Sequence, residues 1–460
     1  MNMRITRDKE FYKMMLSIAM PIGIQNLITF TVSMADTMML GSLGEIQLSA
    51  SSIGNNLFFI LMVLMFGLGG GSSIMAAQYY GKKDIKSIHK IMSIMYRFCI
   101  VITLVFVAIA MIIPREFISI FTTDQAVIEQ GVKYIRIVAI GYVFYSLTNC
   151  TITVLRSVQT VKISMVVYSI SLVVNVFFNW VFIFGNLGFE PMGVQGAAIA
   201  TVIARITEFI VVVVFMLFFE KKIHLKIKHI LRVDTIMLKD YIKNCTPVLF
   251  NELFWGLGSS MISVIVGRMG TEVVAANSIN NVANQFVTVF VFGLGSASSV
   301  IIGNVIGEGN YDKAREYAST ITILSFVMGL MSGLLIYIIR PYVVDFYNIS
   351  QETKEIAMEI MTATAIISVF QSMAINTMMG VLRGGGDNRF VLINDVIFMW
   401  VIAIPFGFIG AFLWKLPIFI VFLIIKSDEV LKVIASIIRI CSGKWVTDLT
   451  RDFDEVKIVE

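Results

Sequence analysis

The sequence predicts an all-α membrane protein with twelve transmembrane helices in two six-helix lobes. Two observations lead to this fold class. The 460-residue chain is 57% hydrophobic and only 15% charged, whereas globular domains are about 45 to 50% apolar and about 25% charged. The chain also matches itself when it is shifted by 226 residues, a shift that aligns Pro21 with Pro247 and the Phe-Gly-Leu-Gly segment at 66–69 with the one at 292–295.

The duplication extends along most of each half. It aligns Gly81 with Gly307, and it returns one residue out of register where Leu155-Arg156 aligns with Leu382-Arg383. Duplication inside a membrane protein is typical of secondary transporters, in which two bundles face each other across a shared cavity.

The individual helices are predicted from apolar runs of about 20 residues or more, the length that crosses about 30 Å of hydrocarbon. Alternating strands of about 10 residues are absent, which excludes a transmembrane β-barrel. The predicted spans are 14–38, 51–80, 92–113, 134–155, 163–184, 194–219, 246–266, 275–302, 318–339, 357–381, 390–411 and 414–434.

The orientation follows from the basic residues, which concentrate in cytoplasmic connections. With an inner N-terminus, and with the tail counted from Lys426, the inner segments hold 27 of the 36 Lys and Arg residues, and the outer loops hold 6. The protein is therefore expected in the plasma membrane as an integral multi-pass protein with both termini in the cytoplasm. These juxtamembrane charges account for the net charge of +5, so no nucleic-acid partner is expected.

Four segments follow from the spans and the repeat. Residues 1–220 form the predicted N-terminal lobe, 221–245 a basic cytoplasmic linker, 246–434 the C-terminal lobe and 435–460 a cytoplasmic tail.

The sequence lacks the parts that catalysis or ATP hydrolysis needs. Its three histidines, His89, His224 and His229, lie in predicted inner loops at no zinc-binding spacing. No Walker A motif is present. We therefore expect a protein that is not an enzyme, has no cofactor and is driven by a Na⁺ or H⁺ gradient. The Gly triplet at 384–386 is interpreted as a turn in a short inner loop.

Ionisable residues within spans are rare and indicate functional sites. Asp36, Glu252 and Asp395 are the acids that matter most. The repeat aligns Glu252 with Asn26 and Asp36 with Ile262, so the architecture that both halves share requires neither acid. A carboxylate in a partly desolvated site can alternate between protonated, sodium-bound and substrate-bound states.

Each acid also has a structural interpretation. Asp36 can cap a helix or lie in an exposed loop, and Asp395 can cap a helix or snorkel to the inner interface. Arg205 and Glu208 lie three residues apart in span 6, so they are expected to neutralise each other.

Two amides are expected beside Asp36. Asn175 and Asn179 are one helical turn apart in span 5 and at the depth of Asp36. They are expected to orient its carboxylate or hydrate a cation; interhelical hydrogen bonding alone is the alternative.

Short motifs in both halves together resemble the multidrug and toxic compound extrusion (MATE) transporters. The resemblance covers about residues 10 to 450 and rests on the order of these motifs: Pro21, Asp36-Thr37-Met38-Met39-Leu40-Gly41, Gln78-Tyr79-Tyr80-Gly81, Leu155-Arg156-Ser157, Pro247, Asn251-Glu252-Leu253-Phe254-Trp255 and Leu382-Arg383-Gly384-Gly385-Gly386-Asp387.

The resemblance implies two lobes related by a pseudo-twofold axis along the membrane normal, alternating access, and export of organic cations in exchange for Na⁺ or H⁺. It makes Asp36 the acid of the N-terminal lobe, with Asn175 beside it, and Glu252 the acid that binds the coupling cation in the C-terminal lobe. Trp255 is expected to line the substrate cavity.

The sequence departs from the family at two positions. Asn179 stands where one branch has an Asp, and no acid lies between Thr362 and Gly386, where the sodium-coupled branch often has one. Asp395 is expected to supply that second charge, so Glu252 and Asp395 are the candidate Na⁺ ligands.

We expect a monomeric antiporter whose partners are organic cations and membrane lipid, with no ATP. The alternative is a flippase for a lipid-linked saccharide, which calls for several basic residues in the cavity. Arg205, already matched with Glu208, is the only mid-span basic residue that the predicted spans provide. A membrane enzyme or receptor is the third and least supported interpretation.

Overall fold

The computed structural model describes residues 5–225, 234–347 and 349–451. Within these ranges the secondary structure is helical and no strand occurs. The first half contains α1 (Lys9–Gly41), α2 (Glu45–Gly81), α3 (Ile85–Ile112), α4 (Pro114–Ser119), α5 (Gln125–Ser157), α6 (Lys162–Phe184) and α7 (Val194–Phe218).

The second half begins with four long helices and continues with shorter ones that alternate with π-helical segments. The long helices are α8 (Thr235–Gly267), α9 (Thr271–Gly307), α10 (Tyr311–Phe346) and α11 (Gln351–Ile375). The π-helical segments are Asn376–Leu382, Ile397–Ala403 and Ile409–Leu413. The short helices are α12 (Asn388–Val396), α13 (Ile404–Phe408), α14 (Ile418–Ile425) and α15 (Ser427–Cys441).

Helix starts confirm the duplication residue by residue. Adding 226 to the first residues of α1, α2, α3, α5 and α6 gives the first residues of α8, α9, α10, α11 and α12. The equivalent helices α1 and α8 both contain 33 residues and both contain an internal proline, Pro21 or Pro247. The repeat therefore determines where helices begin, although the two halves differ in composition.

Eleven helical stretches in the described residues are long and apolar enough to cross a membrane. The prediction of one continuous twelfth span at 414–434 is wrong. Its residues form α14 and α15, which meet at Lys426. The equivalent helix of the first half, α7, is an uninterrupted helix of 25 residues.

The predicted linker is partly helical, because α8 begins at Thr235. Residues 226–233, which include His229, lie outside the described residues. The predicted tail contains the end of α15 and a segment that packs closely: Trp445 is fully buried, and the backbone N–H of Thr447 donates to the carbonyl oxygen of Gly385 at 2.8 Å. Gly386 has a φ of +87°, which confirms the predicted turn at 384–386.

Internal contacts divide the chain into two compact units. The N-terminal unit comprises Ile24–Ser73 and Ile85–Leu249, and the C-terminal unit comprises Met1–Gly23, Ile74–Asp84 and Phe250–Glu460. The predicted limits of lobes, linker and tail remain predictions.

Candidate functional site

A continuous network of charged and amide side chains crosses the C-terminal unit. We call it the charge network, and in order of contact it consists of Glu252, Arg383, Asn251, Asp395, Lys432 and Asp428.

In the first part of the charge network, Arg383 contacts both Glu252 and Asn251. Nη1 of Arg383 donates to Oε1 of Glu252 at 2.7 Å, and Nη2 donates to Oδ1 of Asn251 at 2.8 Å. The planar guanidinium has donors fixed in a fork, so it holds two neighbouring side chains of α8 at once. This arrangement fixes the Glu252 carboxylate in one orientation.

In the second part of the charge network, Lys432 contacts both Asp395 and Asp428. The amide of Asn251 donates to Oδ2 of Asp395. Nζ of Lys432 lies 2.5 Å from Oδ1 of Asp395 and 2.6 Å from Oδ2 of Asp428. The ammonium of Lys432 is thus shared by two carboxylates, one on its own helix and one on α12.

The charged members of the network are all buried. Their exposed fractions are 8% for Glu252, 8% for Asp395, 7% for Arg383, 3% for Lys432 and 2% for Asp428. Removing charges from water costs several kcal/mol for each ion unless each is paired and hydrogen-bonded. Three carboxylates share two cations here. With all five groups ionised, the network carries one negative charge in excess.

Irregular backbone surrounds this network. Arg383 directly follows the π-helical segment Asn376–Leu382, and Asp395 lies two residues before the segment Ile397–Ala403. Asp428 is in the first turn of α15, beyond the break at Lys426. π-helical segments are frequent at functional sites, and discontinuous helices supply ion-binding ends in many transporters. The regular helices α5 and α6 occupy the equivalent positions in the first half.

The N-terminal unit contains part of the same arrangement. Nη2 of Arg156 donates to Oε1 of Gln25 at 2.5 Å. Gln25 is the repeat equivalent of Asn251, and Arg156 is the equivalent of Arg383 with the one-residue displacement. The amide–arginine pair is therefore shared architecture, and Glu252 is an addition to it in the second half.

The acid of the N-terminal unit lies elsewhere, on α1. Nδ2 of Asn179 donates to Oδ1 of Asp36 at 2.5 Å and to Oδ1 of Asn175 at 3.1 Å. Both amides are buried, whereas Asp36 is partly exposed. The predicted cluster is confirmed: the structure brings together Asp36, Asn175 and Asn179. Within the described residues no cation forms an ion pair with Asp36.

The predicted neutralising pair in α7 is also confirmed. Nη1 of Arg205 lies 2.9 Å from Oε1 of Glu208, which also accepts a hydrogen bond from Ser171. The Arg205 guanidinium lies over the rings of Tyr145 and Phe58, 4.9 and 5.5 Å from their centroids. Arg205 is thus held in place from several directions, as a structural residue is.

Two basic residues of the site were not predicted from the sequence. Arg383 and Lys432 are both buried in the charge network. The correspondence of Leu155-Arg156 with Leu382-Arg383 in the repeat is the sequence signal that points to Arg383. The alternative in which Asp395 snorkels to water does not fit its 8% exposure. Trp255 is not part of the network, and 41% of its surface is exposed.

No group of three or more His, Cys, Asp or Glu side chains in the described ranges is arranged to hold a metal ion. Glu252 and Asp395 each face a fixed cation, and Asn251 lies between them. A sodium ion at either acid would compete with Arg383 or Lys432, so sodium binding there remains a prediction.

A family model described as MatE matches residues 21–181 and 247–409, which is more than half of the chain. The chain belongs to the MatE family. The two matched segments are the two halves of the repeat. Membership confirms the resemblance to MATE transporters, and with the apolar helices it shows an integral multi-pass membrane protein.

Curated relatives match this MATE chain along most of its length. It is 24% identical over 405 residues to the probable multidrug resistance protein YoeA of Bacillus subtilis, covering 86% of both chains. It is 23% identical over 441 residues to the probable multidrug resistance protein NorM of Thermotoga maritima, covering 95% of this chain and 93% of that protein.

Solved structures share the fold. A crystal structure of MATE in complex with MaL6 has a TM-score of 0.84 at 19% identity, covering 94% of this chain and 95% of that one. A MOP superfamily transporter from Pyrococcus furiosus, described as having a binding pocket of reverse polarity that suggests a different function, also has a TM-score of 0.84, at 18% identity, covering 98% and 100%. These likenesses confirm the all-α, twelve-helix, two-lobe fold class.

Proposed function

We propose that this MATE transporter exports organic cations by secondary active transport, in exchange for Na⁺ or H⁺ and by alternating access. It acts as a monomer in the plasma membrane, with both termini in the cytoplasm and without ATP. The relatives named as multidrug resistance proteins support efflux of more than one compound.

The excess negative charge of the charge network is the observation that carries the proposal. A buried carboxylate without a counter-ion is costly, so a network with three acids and two bases favours one further cation. A proton, a sodium ion or an organic cation satisfies that requirement. Because the requirement is for one charge, binding of one cation weakens binding of the next, and this competition is the basis of exchange.

Glu252 is the residue at which we place the exchange. Its second oxygen, Oε2, makes no hydrogen bond or ion pair that the structure records in the described residues, whereas Oε1 is bound to Arg383. A cation that binds Glu252 weakens its attraction to Arg383, and Arg383 then retains Asn251 as its acceptor. The arginine therefore has a partner in both states.

Asp36 forms the acidic site of the N-terminal unit. Amides rather than cations contact it, so its charge stays available to an organic cation or a proton. We propose that Asp36, with Asn175 and Asn179, binds substrate in the N-terminal unit. In the C-terminal unit, we propose that Trp255 contacts the apolar part of a substrate bound there.

A flippase for a lipid-linked saccharide is the second candidate, because Arg383 and Lys432 are buried basic residues. Each of them is already bound to carboxylates. An anionic headgroup would meet three acids in the same network. The charge balance therefore favours a cationic substrate.

Everted vesicles from cells that overproduce the protein provide the test. The vesicles are energised and loaded with ethidium, and release is followed after a sodium pulse and, separately, after a pH pulse. We expect release after one of the two pulses, and the effective pulse identifies the coupling ion. Release after neither pulse would count against antiport.

Two variants complete the experiment. Glu252→Gln is expected to abolish the pulse-driven release, whereas Glu355→Gln is a matched control, because Glu355 is exposed. Both variants must be present in the membrane in normal amounts. Normal exchange by Glu252→Gln would contradict the role of Glu252.

A further inference from the structure

We infer that Lys432 is a built-in cation that competes with the transported cation for Asp395, and that Asp428 is the position to which its ammonium withdraws. This inference rests on the proposed function and adds two residues of α15 to it. They are positioning residues, since they act through Asp395.

The geometry of the two carboxylates is the first argument. Asp428 and Lys432 are four residues apart on α15, where side chains lie on one face. Their distance is therefore set within one helix. Asp395 lies on α12, so its contact with Lys432 depends on how two helices pack. If α15 moves relative to α12, Lys432 keeps its ion pair with Asp428 and loses its ion pair with Asp395.

An unused acceptor is the second argument. Asp428 is 2% exposed, and its Oδ1 is buried without a hydrogen-bond partner in the described residues. A buried carboxylate oxygen without a donor costs free energy. The ammonium of lysine has three donors on a flexible stem, so withdrawal from Asp395 allows it to bind both oxygens of Asp428.

The surroundings of Lys432 contain no competing base among the contacts recorded. The groups that act on its charge are Asp395, Asp428 and Glu429, and Lys426 in turn acts on the charge of Glu429. Asn251 lies on the other side of Asp395 and connects it to Arg383 and thereby to Glu252. Movement of Lys432 away from Asp395 therefore leaves one carboxylate, held by an amide, for a proton or a sodium ion.

Purified protein in proteoliposomes tests the inference. Ethidium exchange is measured at increasing concentrations of Na⁺ and, separately, of H⁺. The readout is the half-maximal concentration of the ion that drives exchange. Lys432→Met removes the competitor and is expected to lower this concentration by about tenfold. Asp428→Asn removes the position of withdrawal and is expected to raise it by about tenfold. Lys444→Met, which changes an exposed lysine, should leave it unchanged.

The double variant Asp428→Asn with Lys432→Met decides the mechanism. If Asp428 acts only through Lys432, the double variant behaves like Lys432→Met. If the two charges act independently on the bound cation, their effects add and the double variant returns to the wild-type value. An additive result, or shifts of both single variants in the same direction, would overturn the inference.

The experiment distinguishes a variant that does not fold, a wrong role for Lys432 and a wrong proposed function. The double variant removes one positive and one negative charge together, so it stays measurable if Lys432→Met alone does not fold. Exchange by the wild-type protein without the predicted shifts would refute only the role of Lys432. No cation-dependent exchange by the wild-type protein would refute the proposed function itself.

Discussion

Arg383 and Glu252 form a buried ion pair, with 2.7 Å between Nη1 and Oε1, although they are 131 residues apart in sequence. The equivalent arginine of the first half, Arg156, contacts Gln25 instead. Both halves thus keep an arginine–amide contact, and only the second half adds an acid to it. The pair combines an inherited structural element with a residue that the repeat does not require.

We predict that Glu252→Gln destabilises the protein as well as abolishing exchange. The substitution removes the direct counter-ion of Arg383 and leaves Asn251 as its acceptor, so the cost should stay below the value of about 3 to 5 kcal/mol for leaving a buried charge without any partner. Thermal unfolding in detergent should show a lower Tm for Glu252→Gln, and the double variant with Arg383→Met should regain part of it. A double variant less stable than the single one would contradict this account.

Asp36→Asn should reduce transport strongly while it lowers stability only slightly. Asparagine keeps an acceptor for the Asn179 amide, so the loss of stability should be about 1 kcal/mol, the difference between a charged and a neutral hydrogen bond. Ethidium efflux should fall at least about tenfold, because the negative charge is lost. Asp312→Asn is the matched control, since Asp312 is exposed. Unchanged efflux by Asp36→Asn would exclude Asp36 from substrate binding.

The stability of the protein should fall at acidic pH as Asp8, which lies just before α1, becomes protonated. The hydroxyl of Tyr317 donates to Asp8 at 2.6 Å and is the main cause that lowers the pKa of Asp8, followed by the backbone N–H of Glu10. A lowered folded-state pKa gives stability that is present above the unfolded value of about 3.9 and is lost as the pH falls through the folded value. Asp8→Asn should therefore lower the Tm at pH 7, and the difference from the wild-type protein should be smaller at pH 3 and shrink further at lower pH. An equal difference at both pH values would contradict the assignment.

Repeat-related glycines at the ends of α2 and α9 should tolerate no side chain. A Cβ on Gly307 would lie 1.8 Å from the carbonyl oxygen of Gln78, and a Cβ on Gly81 would lie 2.0 Å from that of Asn304. Because both neighbours are backbone atoms, either alanine variant should lose stability at the upper end of the usual range of about 1 to 3 kcal/mol. Gly267→Ala is the control, since nothing lies within 4 Å of its Cβ. Tm values of Gly81→Ala and Gly307→Ala equal to that of Gly267→Ala would contradict this prediction, because they would show that α2 and α9 can move apart at little cost.

Local spacing explains what could be predicted from the sequence. The repeat predicted that both halves share one architecture, and the structure agrees because equivalent helices begin 226 residues apart. The Arg205–Glu208 pair and the Asn175–Asn179 contact join residues three and four apart on one helix, and helical periodicity alone places such residues on one face.

The charge network was not predictable in this way because its contacts join different helices. Asn251 and Asp395 are 144 residues apart, and the contact of Asp395 with Lys432 depends on the break at Lys426 and on the π-helical segment after Val396. Hydropathy gave no reason to place Arg383 and Lys432 in a site, since it treats every basic residue as exposed. Hydropathy carries no information about acids on other helices, such as Glu252 beside Arg383 and Asp395 beside Lys432.

The most direct test of the central claim, that one excess negative charge couples substrate to a cation, is ethidium exchange by purified protein in proteoliposomes under an imposed Na⁺ or H⁺ gradient. Wild-type protein should exchange ethidium with one of the two gradients, and Glu252→Gln should bind ethidium but not respond to that gradient. Equal gradient-driven exchange by the wild-type protein and Glu252→Gln would contradict the claim.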